Sequence, residues 1–131
     1  MSTLALIFAT VTATLGLPNG LLSAVCHVES HHNVKAINLN DGGEDSLGVC
    51  QIKLSTAKML GFKGTAAELQ EPFVNAYYAG MYLNKQLRRY DHFIPHAIAA
   101  YNSGTLRLTK HRHVVNIKYV NKVFKAWVDN K

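Results

Sequence analysis

Glu29 is the first side chain of the sequence to carry a formal charge. It ends an apolar run in which Leu21, Leu22, Val25, Cys26 and Val28 recur at three- and four-residue spacing. A carboxyl emerging from such a face is partly desolvated, and desolvation disfavours its ionised form. A carboxylic acid that keeps its proton near neutral pH is what general-acid catalysis needs. The plain alternative is a solvated glutamate at a helix end. Three further acids, Asp41, Glu44 and Asp45, fall in a polar stretch. A second carboxylate there could activate a water and make an inverting hydrolase; exposed loop acids are the ordinary alternative. His27 and His31 lie four apart, with His32 adjacent, and His92, His96, His111 and His113 follow. Imidazoles at such spacing can bind zinc. The order here is His-x-Glu-x-His, however, not the His-Glu-x-x-His of a metalloprotease helix, and no metal is expected. Cys26 and Cys50 could form one bridge or stay as two buried thiols.

The elements that must position these groups read as helices around one core. The chain has 131 residues, 48% of them hydrophobic and 17% charged, which excludes a disordered or collagen-like chain. Its length suits a single domain, 1–131, with no visible repeat or linker. Residues 1–17 read as an additional N-terminal helix, in preference to a signal or anchor: the stretch lacks a basic start and is short for a membrane span. Asn19 is expected to cap the helix that carries Glu29. Asn33 to Asp45 reads as loop, turning at Gly42-Gly43, and residues 38–53 as an irregular or β-like segment. Ser55 can cap a short helix through Leu60. Glu71-Pro72 opens the longest helix, with Phe73, Ala76, Tyr77, Gly80, Leu83 and Leu87 on one face. Ile94 to Tyr101 is a further helix closing at Gly104, and a last one runs from about Val114 to Val128. Ile117, Val120, Val123, Phe124 and Trp127 should face inward from that last helix. The net charge of +6 favours an anionic partner. The basic residues form no stripe with interleaved aromatics, so nucleic acid is not the expected one.

Four short motifs in order change the weight of Glu29. They are Ala24-Val25-Cys26-His27-Val28-Glu29-Ser30, then Ser46-Leu47-Gly48-Val49-Cys50-Gln51-Ile52, then Ala99-Ala100-Tyr101-Asn102-Ser103-Gly104, then Tyr119-Val120 with Val123. Together they resemble the soluble lytic transglycosylase family, which shares a mostly α, lysozyme-like fold with goose-type lysozymes. The helix from Pro72 to Tyr90 also resembles the family's, including Asn75, Ala79-Gly80 and Tyr82-Leu83, and the likeness spans roughly residues 20 to 128. It implies an enzyme that cuts peptidoglycan between N-acetylmuramic acid and N-acetylglucosamine, with no cofactor. Glu29 would protonate the glycosidic oxygen, then take the proton of the muramoyl 6-hydroxyl as a 1,6-anhydro ring closes. The same resemblance implies that Ser46 orients Glu29 and that Gly48 lets the backbone pass close to substrate. Gln51 and Asn102 would contact sugar, and Tyr101 and Tyr119 would lie beside Glu29.

Two positions depart from the family pattern: Cys50 stands where Met is common, and the Pro-Gly pair expected after Gly104 is replaced by Thr105-Leu106. A monomer acting on glycan strands in the wall or periplasm is expected, without stable membrane insertion. A phage lysis or virion enzyme, or a wall-opening enzyme of a secretion apparatus, fits the compact chain. A muramidase hydrolysing the same bond, and a wall-binding module without turnover, are the rivals.

Overall fold

The computed structural model describes residues 1–129; Asn130 and Lys131 lie outside the described residues. Ser2 caps the first helix, α1 (Thr3–Leu15), by accepting from the Ala5 amide at 3.0 Å. This helix buries Phe8, Val11 and Thr12, and among the described residues no helix is long and apolar enough to cross a membrane. The next helix, α2 (Leu21–Ser30), places Glu29 in its last turn. Its N-cap is Gly20, not Asn19: the backbone enters at φ +78°, a left-handed conformation that glycine adopts without a Cβ penalty. The Asn19 carbonyl instead accepts from the Trp127 indole at 2.7 Å. His31 and His32, at φ 53° and 60°, turn the chain sharply away directly after Glu29 and Ser30.

The segment expected as loop contains a hairpin. Strands β1 (Ile37–Asp41) and β2 (Glu44–Leu47) pair antiparallel across Gly42-Gly43, and β3 (Ile52–Lys53) pairs with β2. Both glycines have positive φ, as a tight hairpin turn requires. Every residue of β1 is exposed: Ile37 and Leu39 alternate with Asn38 and Asn40, but the alternation buries neither face. The β-like character expected near residues 38–53 is present as this three-stranded sheet.

Short helices α3 (Leu54–Met59) and α4 (Ala66–Leu69) follow. Ser55 lies inside α3 and does not cap it; Glu44 of β2 accepts from both its amide and its hydroxyl. The longest helix, α5 (Pro72–Arg89), starts as expected, with the Glu71 carboxylate accepting from Val74 N at 2.9 Å. Ala76, Gly80, Leu83 and Leu87 are buried, whereas Phe73 at the helix start is 42% exposed. The last two helices are α6 (Ile94–Ser103) and α7 (Ile117–Asp129). An isolated bridge between Leu108 and Val114 holds the chain extended at the point where α7 was expected to begin. Ile117 is accordingly exposed, Val120 and Val123 are buried, and Phe124 and Trp127 pack at the core's edge.

The core joins α1, α2, α5, α6 and α7 through Val11, Leu22, Val25, Leu83, Ile98, Val120 and Val123. Gly80 permits the α1–α5 approach, since a Cβ there would lie 2.9 Å from Leu15 and Val11 side-chain carbons. A second cluster, Leu47, Ile52, Ala57 and Leu69, seats the sheet on α3 and α4. Cys26 and Cys50 are bonded in a disulfide that ties α2 to the segment before β3. The bridge lies one helical turn from Glu29 and so fixes the two walls that face it.

Candidate active site

The last turn of α2 delivers the Glu29 carboxyl into a cleft walled by the sheet on one side and by α6 on the other. Behind it the Tyr119 hydroxyl, carried on α7, donates to Glu29 Oε2 at 2.6 Å. Burial pushes the Glu29 pKa up to about 7; the Tyr119 hydrogen bond opposes this, and the negative charge of Asp41 adds to it. Burial and the Glu29 charge push the hydroxyl pKa values of Tyr119 and Tyr101 well above the ordinary tyrosine value. Both therefore remain O–H donors across the range in which Glu29 titrates.

The residues picked out by sequence divide into those the fold gathers and those it uses elsewhere. Tyr101 and Asn102 line the cleft with Glu29, as do Ser46 and Gln51. The Tyr101 hydroxyl donates to the Cys50 carbonyl at 2.8 Å, so it fixes the opposite wall and does not bond the carboxylate directly. Gln51, at φ +54°, commits its amide nitrogen to the Ala36 and Gly48 carbonyls at 3.1 and 2.9 Å. With both N–H donors used, its carbonyl oxygen is the group left to meet a ligand. Asn102 Oδ1 accepts from Asn116 Nδ2 at 2.9 Å, which leaves the Asn102 amide donors.

Two expectations require correction. Ser46 does not orient Glu29: its hydroxyl donates to Asp41 Oδ2 at 2.7 Å across the hairpin. A hydroxyl has one proton to give, and Asp41 takes it. Gly48 is not among the cleft-lining residues, and the room its missing side chain leaves faces Asn75, not the cleft. It stands at φ +80°, and a Cβ there would fall under 3.0 Å from three side-chain atoms of Asn75. The glycine makes room for Asn75, which accepts from Cys50 N and donates to the Leu47 and Leu69 carbonyls at 2.8–2.9 Å.

Asp41 is the loop acid that enters the cleft. Glu44 is spent on Ser55, and Asp45 accepts from the Asn40 amide at 3.0 Å. Lys53, Thr56 and Tyr82 also line the cleft and were not singled out for it in the sequence. Tyr82 had a signal, its place in the Tyr82-Leu83 pair of the family-like helix; Asn116 had none. The loop that lacks Pro-Gly is pinned from α5. Gln86 and Arg89 donate to the Gly104 carbonyl, each at 3.1 Å, and Arg89 donates to Thr105 Oγ1 at 2.7 Å. The histidines do not converge on the cleft. The rings of His27, His31 and His32 pack against one another, and among the described residues no three His, Cys, Asp or Glu side chains gather to hold a metal.

Comparison with known proteins places the chain in a family. The family described as the Transglycosylase SLT domain matches residues 7–123. Protein IpgF of Shigella flexneri is 29% identical over 114 residues, covering 86% of this chain and 72% of the relative. Protein IpgF of Shigella sonnei matches to the same extent. Among solved structures, an inactive glutamate-to-glutamine mutant of the lytic transglycosylase Slt from Pseudomonas aeruginosa superposes with a TM-score of 0.79 at 21% identity. That match covers 95% of this chain and 23% of the Pseudomonas protein, so this chain corresponds to about a quarter of it. The shared architecture is the lysozyme-like one, mostly helical with a small sheet beside the cleft. With nearly its whole length matched by the family, this chain belongs to the SLT-domain lytic transglycosylases, which act on peptidoglycan.

Proposed function

We propose that the chain cleaves the β-1,4 bond between N-acetylmuramic acid and N-acetylglucosamine with formation of 1,6-anhydro-N-acetylmuramic acid, Glu29 acting first as acid and then as base. The observation that carries this reading is the Glu29 carboxyl, facing an open cleft, whose pKa of about 7 lets it hold or release a proton near neutrality. Protonated Glu29 gives its proton to the glycosidic oxygen as the bond breaks. The resulting carboxylate, still bonded to Tyr119, takes the proton of the muramoyl 6-hydroxyl, which closes on the anomeric carbon. One proton leaves and one returns, so Glu29 is restored without water. Tyr119 positions the carboxyl and Tyr101 braces the facing wall. The Gln51 carbonyl oxygen and the Asn102 amide supply contacts to sugar. The neighbour whose glutamate-to-glutamine mutant is described as inactive supports an indispensable carboxyl in that fold. Both curated relatives are Shigella proteins, which supports a bacterial wall enzyme over a phage one.

Asp41 supports a second reading. It lines the same cleft and is electrostatically coupled to Glu29, so it could activate a water and turn the outcome to hydrolysis. Mass spectrometry of products released from purified peptidoglycan decides between them. Ends that carry the anhydro ring, absent with Glu29→Gln, are expected. Reducing ends that vanish with Asp41→Asn would establish hydrolysis, and no release by the wild-type chain would overturn both.

A further inference from the structure

The positive charge of the chain is concentrated in one region. From His92 to Val128 the sequence has no Asp or Glu and six basic residues, Arg107, Lys110, Arg112, Lys118, Lys122 and Lys125. The rest of the chain carries eight Lys or Arg against eight Asp or Glu, so the whole formal charge of +6 belongs to this stretch. All six are exposed. The Leu108–Val114 bridge, with backbone bonds from Thr109 N to His113 O and from Val115 N to Arg107 O, builds a lobe with Lys110 and Arg112 at its turn. Lys118, Lys122 and Lys125 continue along α7 at four- and three-residue spacing, which puts them on one face. Among the described residues Lys125 alone of the six forms an ion pair, with Asp129 at 3.1 Å. Like charges gathered without acids repel one another, and an external polyanion relieves that repulsion.

The ridge adjoins the cleft wall through two hydrogen bonds, although none of its residues lines the cleft itself. Asn116, between the lobe and α7, donates to Asn102 on the cleft wall, and Tyr119, next to Lys118, donates to Glu29. A polymer that left the cleft past Asn102 and Asn116 would run toward the lobe and Lys118. Unmodified glycan offers these cations nothing, whereas the lactyl-peptide stems of peptidoglycan carry carboxylates. We propose that the lobe 107–115 and the outer face of α7 form a docking ridge for the stem carboxylates of the strand held in the cleft. The substrate is then a stem-bearing, polyanionic strand. This inference rests on the reading of the cleft as a glycan site.

The test is co-sedimentation of the Glu29→Gln protein with purified sacculi, native or with carboxylates blocked by carbodiimide coupling to ethanolamine. Two further proteins carry four alanines each. One has Lys110→Ala, Arg112→Ala, Lys118→Ala and Lys122→Ala; the other, of equal net charge, has Lys35→Ala, Lys58→Ala, Lys63→Ala and Lys85→Ala, all exposed. The ridge variant is expected to bind native sacculi about ten-fold more weakly, and the matched control within about two-fold of the parent. Blocked sacculi should erase the difference. With Glu29 restored, the ridge variant should release products with a raised KM and an unchanged kcat. Equal weakening by both alanine sets, or undiminished ridge-dependent binding to blocked sacculi, would overturn the proposal. So would a defect confined to phosphatidylglycerol vesicles, which would make the ridge a bilayer contact. Ridge-dependent binding to sacculi without any product release would sustain the ridge and overturn the cleavage reading instead.

Discussion

At Glu29 two neighbours pull the proton affinity in opposite directions. The Tyr119 hydrogen bond favours the carboxylate, and the Asp41 charge disfavours it. Removing each should therefore move the alkaline limb of the kcat/KM profile oppositely. Tyr119→Phe is expected to shift it above pH 7 and Asp41→Asn to shift it below, each measured on peptidoglycan over pH 4.5 to 9. Shifts of the same sign would remove the electrostatic account. Stability carries the same proton. The folded pKa of about 7 lies above the ordinary 4.5, so the folded state binds the proton more tightly. Stability from this group is then complete below pH 4.5 and declines as pH rises through 7. The loss is at most about 3 kcal/mol. Glu29→Gln, which has no such titration, should gain on wild type between pH 5 and pH 8 in urea unfolding; a constant difference would refute the assignment. The buried setting of Glu29 was suggested in the sequence by the apolar face it ends, and its weight as a candidate came from the four ordered motifs around it. The partner of Ser46 was not, because it depends on the hairpin register. The irregularity between Asn38 and Asp41 brings Asp41 opposite Glu44 and within reach of Ser46.

Between elements, the junction of α5 with the segment 47–50 does the positioning. Asn75 is fully buried and satisfies Cys50 N together with the Leu47 and Leu69 carbonyls. Replacing it by Ala strands three buried backbone groups, each worth about 1 kcal/mol or more, so a loss of about 3 kcal/mol is expected in denaturant titration. Gly48→Ala should act through the same joint, because its new methyl displaces the Asn75 amide and its φ of +80° penalises a side chain. The two changes should not be additive: the double mutant is expected to lose less than the summed losses, and strict additivity would show that they act apart. The helices were legible because their apolar faces recur at helical period and Glu71-Pro72 marks a start. The hairpin and the first residue of α7 were not. Strand β1 buries nothing, and the Leu108–Val114 bridge is a pairing that no local pattern encodes.

For the whole molecule, the disulfide decides how much of the site survives mild denaturation. Cys26 and Cys50 are both fully buried and join α2, which carries Glu29, to the segment whose Cys50 carbonyl receives the Tyr101 hydroxyl. A bridge across 24 residues restricts the unfolded chain and contributes about 3 kcal/mol. Such bridges persist in oxidising surroundings, which agrees with an enzyme that meets its polymer in the wall or periplasm. Because neither sulfur is exposed, a reductant can reach the bond only after the chain opens. Dithiothreitol added to the native enzyme should therefore leave activity intact for as long as the fold holds. The same reductant present during refolding from urea should yield a protein whose unfolding midpoint is lower and whose stability is reduced by about 3 kcal/mol. Cys26→Ala with Cys50→Ala should reproduce that midpoint and lose its sensitivity to reductant. Rapid inactivation of the folded wild type by dithiothreitol would mean instead that the α2–β3 joint opens without global unfolding. The wall facing Glu29 would then be mobile in the working enzyme.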